Sequence, residues 1–260
     1  MNKRLILITN DDGYQTGGLA ALVEMMRPYG DILVVAPTEM QSGMSSALTV
    51  KTPVRLHKIK EEPGLSIYAC SGTPVDCVKL AMSQIVTRKP DLLVSGINHG
   101  SNTSISVIYS GTLGAAAEGT LYEIPSIGFS LNTSSFSADF SACIHYGRII
   151  VEQALKAPFN KYSFLNVNFP AIPLNEIKGI KLCRQNHGTW VEEFEKRVDP
   201  HGYNYYWMTG HFVNHEKEAA DADENAVDAG YVAIVPHQLD MTNYNELERL
   251  RKEWKIMSSD

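Results

Sequence analysis

The hydrophobic positions of this chain fall into short, nearly unbroken runs separated by amphipathic stretches. Leu5–Ile8, Ile32–Ala36 (ILVVA), Leu92–Ser95 (LLVS), Ile124–Phe129 (IPSIGF) and Phe164–Phe169 (FLNVNF) each have the length of a strand. Continuous apolar runs, as opposed to alternating ones, predict strands covered on both faces, as in a parallel sheet. Between the first two, GGLAALVEMMRPYG places Leu19, Leu22, Val23 and Met26 on one helical face and stops at Pro28 and Gly30. That unit reads β-α-β, and its recurrence predicts an α/β fold: a Rossmann-like, doubly wound, mostly parallel sheet.

The pattern changes after about residue 170. Gly179–Arg184 reads as a further strand, and TWVEEFEKRVDPHGYNYYWMTG alternates aromatic and polar residues around a Pro-His-Gly turn, which is hairpin chemistry. Trp190, Tyr203, Tyr205, Tyr206 and Trp207 are concentrated there. EKEAADADENAVDAG reads as an acidic surface stretch; a strand YVAIVP and a helix Tyr244–Ile256 come after it, with Leu247, Leu250 and Trp254 on one face of the helix. The expected organisation is one domain, 1–260, with a core at 1–170 and a C-terminal extension of hairpin and helix at 171–260.

Composition narrows the classes. The chain has 260 residues, 44% of them hydrophobic, enough for one large α/β domain. A net charge of −6 offers no basic field for a nucleic acid polymer, so an anionic substrate needs a metal ion or local dipoles. The four cysteines form no C-x-x-C pair, which predicts thiols in a reducing compartment. The N-terminal apolar run is too short for a signal sequence, and no segment reaches the roughly 20 apolar residues of a membrane helix, so a cytoplasmic protein without a membrane partner is expected.

Open α/β sheets bind ligands outside the carboxyl ends of their strands. The loops leaving these strand ends are rich in oxygen ligands: Asn10-Asp11-Asp12-Gly13, then APTEMQSGMSS, then SGINHGSN, with YSGTLGAAAEG after it. Carboxylates, amides and hydroxyls suit a hard cation such as Mg²⁺ or Mn²⁺, which also makes two adjacent carboxylates tolerable. Asp11 and Asp12 also fit a turn followed by a helix cap near Gly18. In NHGSN, Asn98 and Asn102 flank Gly100, which lets backbone N–H groups approach a ligand. His99 is placed for a general acid, although a lone loop histidine reads first as a surface residue. Of two Ser-Gly-Thr copies, Ser71–Thr73 precedes Pro74 and reads as a helix start, while Ser110–Thr112 reads as an anion site at a helix N-terminus. Asp221, Asp223 and Asn225 open like a calcium loop, but Ala226 stands at the glycine position and Val232 at the glutamate position. His211 and His215 lack the glutamate of a zinc protease and read as surface positions. Neither a G-x-S-x-G elbow nor a Walker lysine loop is present.

With these motifs in order (ILITNDDGY, VVAPTEMQSGMSSALT, SGTPVDCV, LLVSGINHGSN, YSGTLGAAAEG and DPHGYNYYW), nearly the whole chain resembles the SurE family of stationary-phase survival proteins. The resemblance implies a metal-dependent hydrolase of nucleoside 5'-monophosphates, and also of 3'-monophosphates and short polyphosphate. It implies one divalent ion per subunit, held by Asp11, Asp12, Ser42 and Asn98, with Asp11, Asp12 and Asn98 carrying the catalysis. Asn10, Ser42, Gly43, Asn98, Gly100, Asn102, Ser110, Gly111 and Thr112 would surround the phosphate. It further implies a homodimer or homotetramer with exchanged C-terminal elements. His99 falls where the family varies, and Val-Pro-His stands in GYVAIVPHQLDMTN where Thr-Pro-Leu is more usual.

Two routes share this residue set: an aspartate deprotonating the attacking water, or an aspartate attacking phosphorus. Trapping of oxygen label in the protein separates them. Two rival classes also place acidic residues after a first parallel strand. A receiver-like, phosphate-sensing module is shorter than this chain and lacks its phosphate loops. A haloacid-dehalogenase-like phosphatase needs Asp-x-Asp where Asp-Asp-Gly stands.

Overall fold

A computed structural model describes residues 3–135, 137–157 and 159–254. The first strand, β1 (Arg4–Thr9), leads through helix α1 (Gly17–Met26) to β2 (Gly30–Pro37), which lies parallel to β1. A hairpin of β3 (Leu56–Glu62) and β4 (Leu65–Cys70) comes next, and β4 adds parallel to β2. The chain then passes through α2 (Pro74–Leu80) to β5 (Leu92–His99), on the other side of β1. From there α3 (Gly111–Leu121), β6 (Ser126–Leu131), α4 (Ser141–Lys156) and β7 (Ser163–Phe169) continue the parallel sheet outward.

The C-terminal part returns to the same sheet. A short β8 (Ile180–Leu182) is followed by β9 (Gly188–Val191), β10 (Phe194–Val198), β11 (Asn204–Met208) and β12 (His211–Asn214). Then come α5 (Asp223–Asp228), β13 (Val232–Gln238) and α6 (Tyr244–Glu253). Among the described residues the main sheet has the order β3-β4-β2-β1-β5-β6-β7-β13-β8; β3 runs antiparallel to β4, and β13 antiparallel to β7. β9 pairs with β12 and β10 with β11, so 188–214 forms one long hairpin arm outside the main sheet.

The unbroken apolar runs are explained by helices on both faces. Ile6 and Ile8 point into a core shared with Leu22, Met25 and Met26 of α1 and with α4. Leu7, between them, points to the opposite core with Cys77 and Val78 of α2 and Ala115 of α3. All three strand residues are fully buried, each worth about 1.5–3 kcal/mol relative to exposure. Of the face predicted for α1, Leu19, Leu22 and Met26 are buried and Met25 joins them, while Val23 is only partly covered.

Two features escape the apolar-run reading. β3 (LHKIKEE) is a charged edge strand, a composition that discourages edge-to-edge association and hides the strand from a hydrophobic scan. α4 carries His145, Arg148 and Glu152 among its apolar residues, and only one face is buried. Of the helix expected at Tyr244–Ile256, the described part ends at Glu253, and Lys255 and Ile256 lie outside the described residues. No helix among the described residues is long and apolar enough to cross a membrane.

Candidate active site

The strand order reverses between β1 and β5: the chain builds outward through β2 and β4 on one side, then through β5, β6 and β7 on the other. The crevice at the carboxyl ends of β1 and β5 is therefore the topological switch point, where open α/β sheets take their ligands. Asp11 and Asp12 come just after β1, and Asn98 lies at the end of β5.

Local geometry aims these side chains. Along β5 and β6, Ser95 pairs with Gly128 but Asn98 pairs with Ser130, so β5 carries one extra residue, a bulge that turns its end. Gly96 sits in the bulge at φ +128°, and a Cβ there would meet the Phe129 carbonyl oxygen at 2.3 Å; only glycine fits. After β1, Asn10 donates from Nδ2 to the Gly13 carbonyl at 2.9 Å and accepts from the Gly13 N–H at 3.2 Å. The Asn10 side chain thus folds the acidic loop from within. α1 begins after Thr16, so neither aspartate caps it.

From the other side, α3 presents its N-terminus. Ser110 is the cap, accepting from the Leu113 N–H at 3.1 Å. Thr112 donates its hydroxyl to Asp11 Oδ1 at 2.5 Å. Gly111 allows the close approach: a Cβ there would lie 2.9 Å from Asp11 Cβ. By contrast, the Ser71–Thr73 copy builds a capping box, Thr73 with Asp76, and serves to start α2.

Asp11, Asp12 and Asn98 are all at least nine-tenths buried. Burial pushes the Asp11 carboxyl up to about 6; bonds from Thr112 oppose this and the Asp12 charge adds to it. Asp12 Oδ2 accepts from the His99 N–H at 3.1 Å and lies 3.1 Å from His99 Nδ1. No lysine or arginine among the described residues pairs with either carboxylate; His99 is the ionisable group beside them. Asn98 gives its Nδ2 to the Gly100 carbonyl at 2.8 Å. Asn98 lines the cavity, and its amide oxygen is the group left for a ligand. Two buried acids without a lysine or arginine partner, beside an amide oxygen, fit a hard divalent cation. Among the described residues no group of three His, Cys, Asp or Glu is arranged to hold a metal ion; half of the expected donor set is Asn98 and Ser42.

A cavity of about 380 Å³ opens at this point. Asp11, Ser42, Gly43, Asn98, Gly100, Asn102 and Ser110 line it, whereas Asn10, Asp12, Gly111 and Thr112 are not among its lining residues. The loop bearing Ser42 is fixed by the Gln41 N–H, which donates to the Asp11 carbonyl at 2.7 Å. Asn102 belongs to a buried amide ladder: its N–H donates to Asn168 Oδ1, its side chain to Ser130 Oγ, and its carbonyl accepts from Asn166, each at 2.8 Å. A larger cavity, about 650 Å³, lies away from all of these side chains, around Leu5, Asp31 and Gly64 near the amino ends of β1 and β2.

Three features depart from the sequence reading. His99 is not a surface residue: its side chain is 9% exposed and its ring stands edge-on to Phe140. The acidic stretch is not all surface: Asp223 is fully buried and accepts from the Asn186 N–H at 2.8 Å and the Ser104 N–H at 3.1 Å. It fastens the 101–110 loop to the root of the hairpin arm, and its neighbour Glu224 accepts from Thr103 Oγ1. Finally, the arm reaches the cavity, where Trp190, Glu193, Met208 and Thr209 line it together with Tyr109. The aromatic density of the arm was the available signal, but nothing local ties it to a site in the first 110 residues. His211 is exposed, as expected.

Comparison with known proteins gives the same picture. The sequence model of a family described as "Survival protein SurE" matches residues 6–192. A protein of Flavobacterium psychrophilum named "5'-nucleotidase SurE" is 48% identical, the alignment covering 98% of this chain and 99% of that one. A protein of the same name from Christiangramia forsetii is 49% identical, over 98% and 99% of the two chains. The crystal structure of the SurE protein from Aquifex aeolicus superposes with a TM-score of 0.82 at 36% identity, covering 95% of this chain and 98% of the other. With the acidic pair, the bulged β5 and the α3 N-terminus assembled at one switch point, and a match that spans the fold, this chain belongs to the SurE family.

Proposed function

We propose that this protein hydrolyses the phosphate monoester of nucleoside 5'-monophosphates to nucleoside and phosphate, using one Mg²⁺ or Mn²⁺ ion per subunit. Nucleoside 3'-monophosphates and short polyphosphate present the same terminal group and belong to the proposal. The observation that carries it is the meeting, at one cavity of nucleotide size, of Asp11, whose acidic pair has no lysine or arginine partner, and Ser110 at a helix N-terminus. The relatives' name, 5'-nucleotidase, supports it.

Asp11, Asp12, Asn98 and Ser42 are the residues that would hold the ion. When bound, the ion neutralises the paired carboxylates and withdraws charge from the phosphoryl group as a Lewis acid. The Ser42 hydroxyl and the Ser42 and Gly43 amides donate to phosphate oxygens from one side. The Ser110 hydroxyl and the Gly111 amide donate from the positive end of α3. Thr112 orients Asp11, His99 orients Asp12 through its N–H, and Asn10, bonded to Gly13, fixes the turn that carries both.

The proposal includes a homodimer or homotetramer with exchanged C-terminal elements, working in the cytoplasm. Phe194, Tyr203 and Met208 on the arm are 63%, 73% and 72% exposed, and α6 buries none of its side chains within this chain. Such apolar surface fits a second copy. The four cysteines are buried thiols, in keeping with a reducing compartment.

The test is phosphate release from a nucleotide panel with Mg²⁺, Mn²⁺ or chelator, combined with thermal unfolding. Metal is expected to switch on release and raise Tm, and Asp11→Asn to abolish both effects. Near-normal turnover by Asp11→Asn would overturn the assignment.

A further inference from the structure

The cavity has two ends of different chemistry. One is lined by Asp11 of the acidic pair and by Ser110 at the α3 N-terminus; the other is built by the hairpin arm. Trp190 projects from β9 and Met208 from the end of β11, and Tyr109 approaches from the loop before α3. The Trp190 ring is propped from behind by Phe212, its cross-strand partner, with ring centroids 6.0 Å apart. It nevertheless stays 40% exposed. A rigidly backed, half-exposed indole facing a cavity is a stacking platform for a flat heterocycle, and such stacking is worth about 1–3 kcal/mol per base.

Glu193 is the ionisable side chain of this arm end. Its backbone is fixed where the two ladders of the arm meet: the Thr209 N–H donates to the Glu193 carbonyl at 2.7 Å, and Thr209 Oγ1 donates to the Glu192 carbonyl at 3.2 Å. No described lysine, arginine or histidine forms an ion pair with the Glu193 carboxylate. An ionised carboxylate is acceptor-only, with two oxygens side by side. Guanine presents two adjacent donors, N1–H and the 2-amino group, and so satisfies both oxygens. Adenine and cytosine offer an amine beside an acceptor nitrogen, and uracil offers one N–H between two carbonyls. Each of these sets a lone pair against the carboxylate.

Building on the nucleotidase reading, we propose that Trp190 and Glu193 form a nucleobase seat at the arm end of the active-site cavity, Trp190 as platform and Glu193 as the residue that selects guanine. The phosphate end supplies chemistry common to all monophosphates, and the arm decides among them.

The experiment measures kcat/KM for GMP, IMP and ribose 5-phosphate with the metal-loaded enzyme. GMP and IMP differ only in the 2-amino group, and ribose 5-phosphate has no base. Wild type is expected to prefer GMP over IMP by about tenfold, the size of one charge-assisted hydrogen bond. Glu193→Gln should bring that ratio to within twofold of one, because a glutamine reads the N1–H/O6 edge that both bases share. The ratio is insensitive to any loss of folded protein, which scales both rates equally. Trp190→Ala should raise KM for GMP at least tenfold relative to KM for ribose 5-phosphate. A wild-type ratio near one, or a ratio that Glu193→Gln leaves unchanged, would overturn the assignment of Glu193. Nucleotide hydrolysis that is independent of the base would overturn the seat while leaving the nucleotidase reading intact. No release from any nucleotide would overturn both.

Discussion

Replacing Gly111 by alanine separates the positioning of Asp11 from the stability of the fold. The new methyl carbon would stand 2.9 Å from Asp11 Cβ, 3.1 Å from Asp11 Oδ2 and 3.3 Å from Pro74 Cγ. Carbon atoms pack at about 3.5–4.0 Å, so the first distance must open by roughly 0.6–1.1 Å. α3 is buried along most of its length against β5, β6 and α2, so the part that yields is the loop carrying Asp11. Overpacking of this kind costs about 1–3 kcal/mol, and alanine in place of glycine in a helix returns about 1 kcal/mol. The net loss is about 0–2 kcal/mol, a Tm decrease below about 8 °C for a domain of this size. Catalysis is far more sensitive: a displacement near 1 Å of a positioned group costs about 100-fold. Gly111→Ala should therefore lose about two orders of magnitude in kcat/KM for nucleotide hydrolysis while unfolding cooperatively within a few degrees of wild type. Phosphate release and thermal unfolding monitored on the same preparation decide it. Activity within about threefold of wild type would refute the close-approach argument. A Tm collapse of about 15 °C or more would show that the strain enters the core and not the site.

Three further outcomes rest on particular contacts. Thr112→Val removes the 2.5 Å hydrogen bond to the buried Asp11 carboxylate, an interaction worth about 1.5–3 kcal/mol, and should lower kcat/KM about tenfold or more. Thr112→Ser should stay within about threefold of wild type, and equal activity of the two variants would exclude the role of the hydroxyl. Burial lowers His237 from 6.5 to about 4, so the native state refuses a proton that the unfolded chain accepts. Stability from this group is complete above pH 6.5 and is lost as pH falls toward 4, by about 2 kcal/mol between pH 7 and 5. His237→Phe, which can keep the stacking on Phe164, should shed that much of the pH dependence in urea unfolding, and an unchanged slope would contradict it. Wild-type protein should run in light scattering at a multiple of the chain mass, and Tyr206→Glu with Trp207→Glu should reduce it to one chain. A wild-type mass of one chain would remove the partner role given to these exposed rings.

The parts of the fold legible in sequence were those whose cause is local. β1, β2 and β5 are apolar on both faces because helices cover both, so their burial is written as nearly unbroken runs, whereas β6 and β7 turn Ser126, Ser130, Asn166 and Asn168 to one face and leave the other apolar. The edge strand β3 and the helix α4 carry charges where they meet solvent, and periodicity alone did not separate them from loops. Asp11 and Asp12 announced a site for a similarly local reason: adjacent like charges after a buried strand need compensation, and no neighbour in sequence supplies it. Family resemblance added the companion residues Ser42 and Asn98, which their own loops mark only weakly.

Other features were decided by tertiary structure. Thr112 donates to Asp11, 101 residues away along the chain, a pairing that only the order of the strands creates, while Asn10 is tied to Gly13 within its own loop. His99 is drawn off the surface because Phe140 and Asp12 close over its side chain. Asp223 lies in a stretch whose composition reads as surface, yet it satisfies N–H groups from two distant loops. Trp190 and Glu193 reach Asp11's cavity from about 180 residues away along the chain. Sequence pattern records what a residue needs from its own strand or helix. Which residues share a cavity depends on the order in which strands are laid into the sheet and on how the arm folds back, and neither is encoded within any one segment.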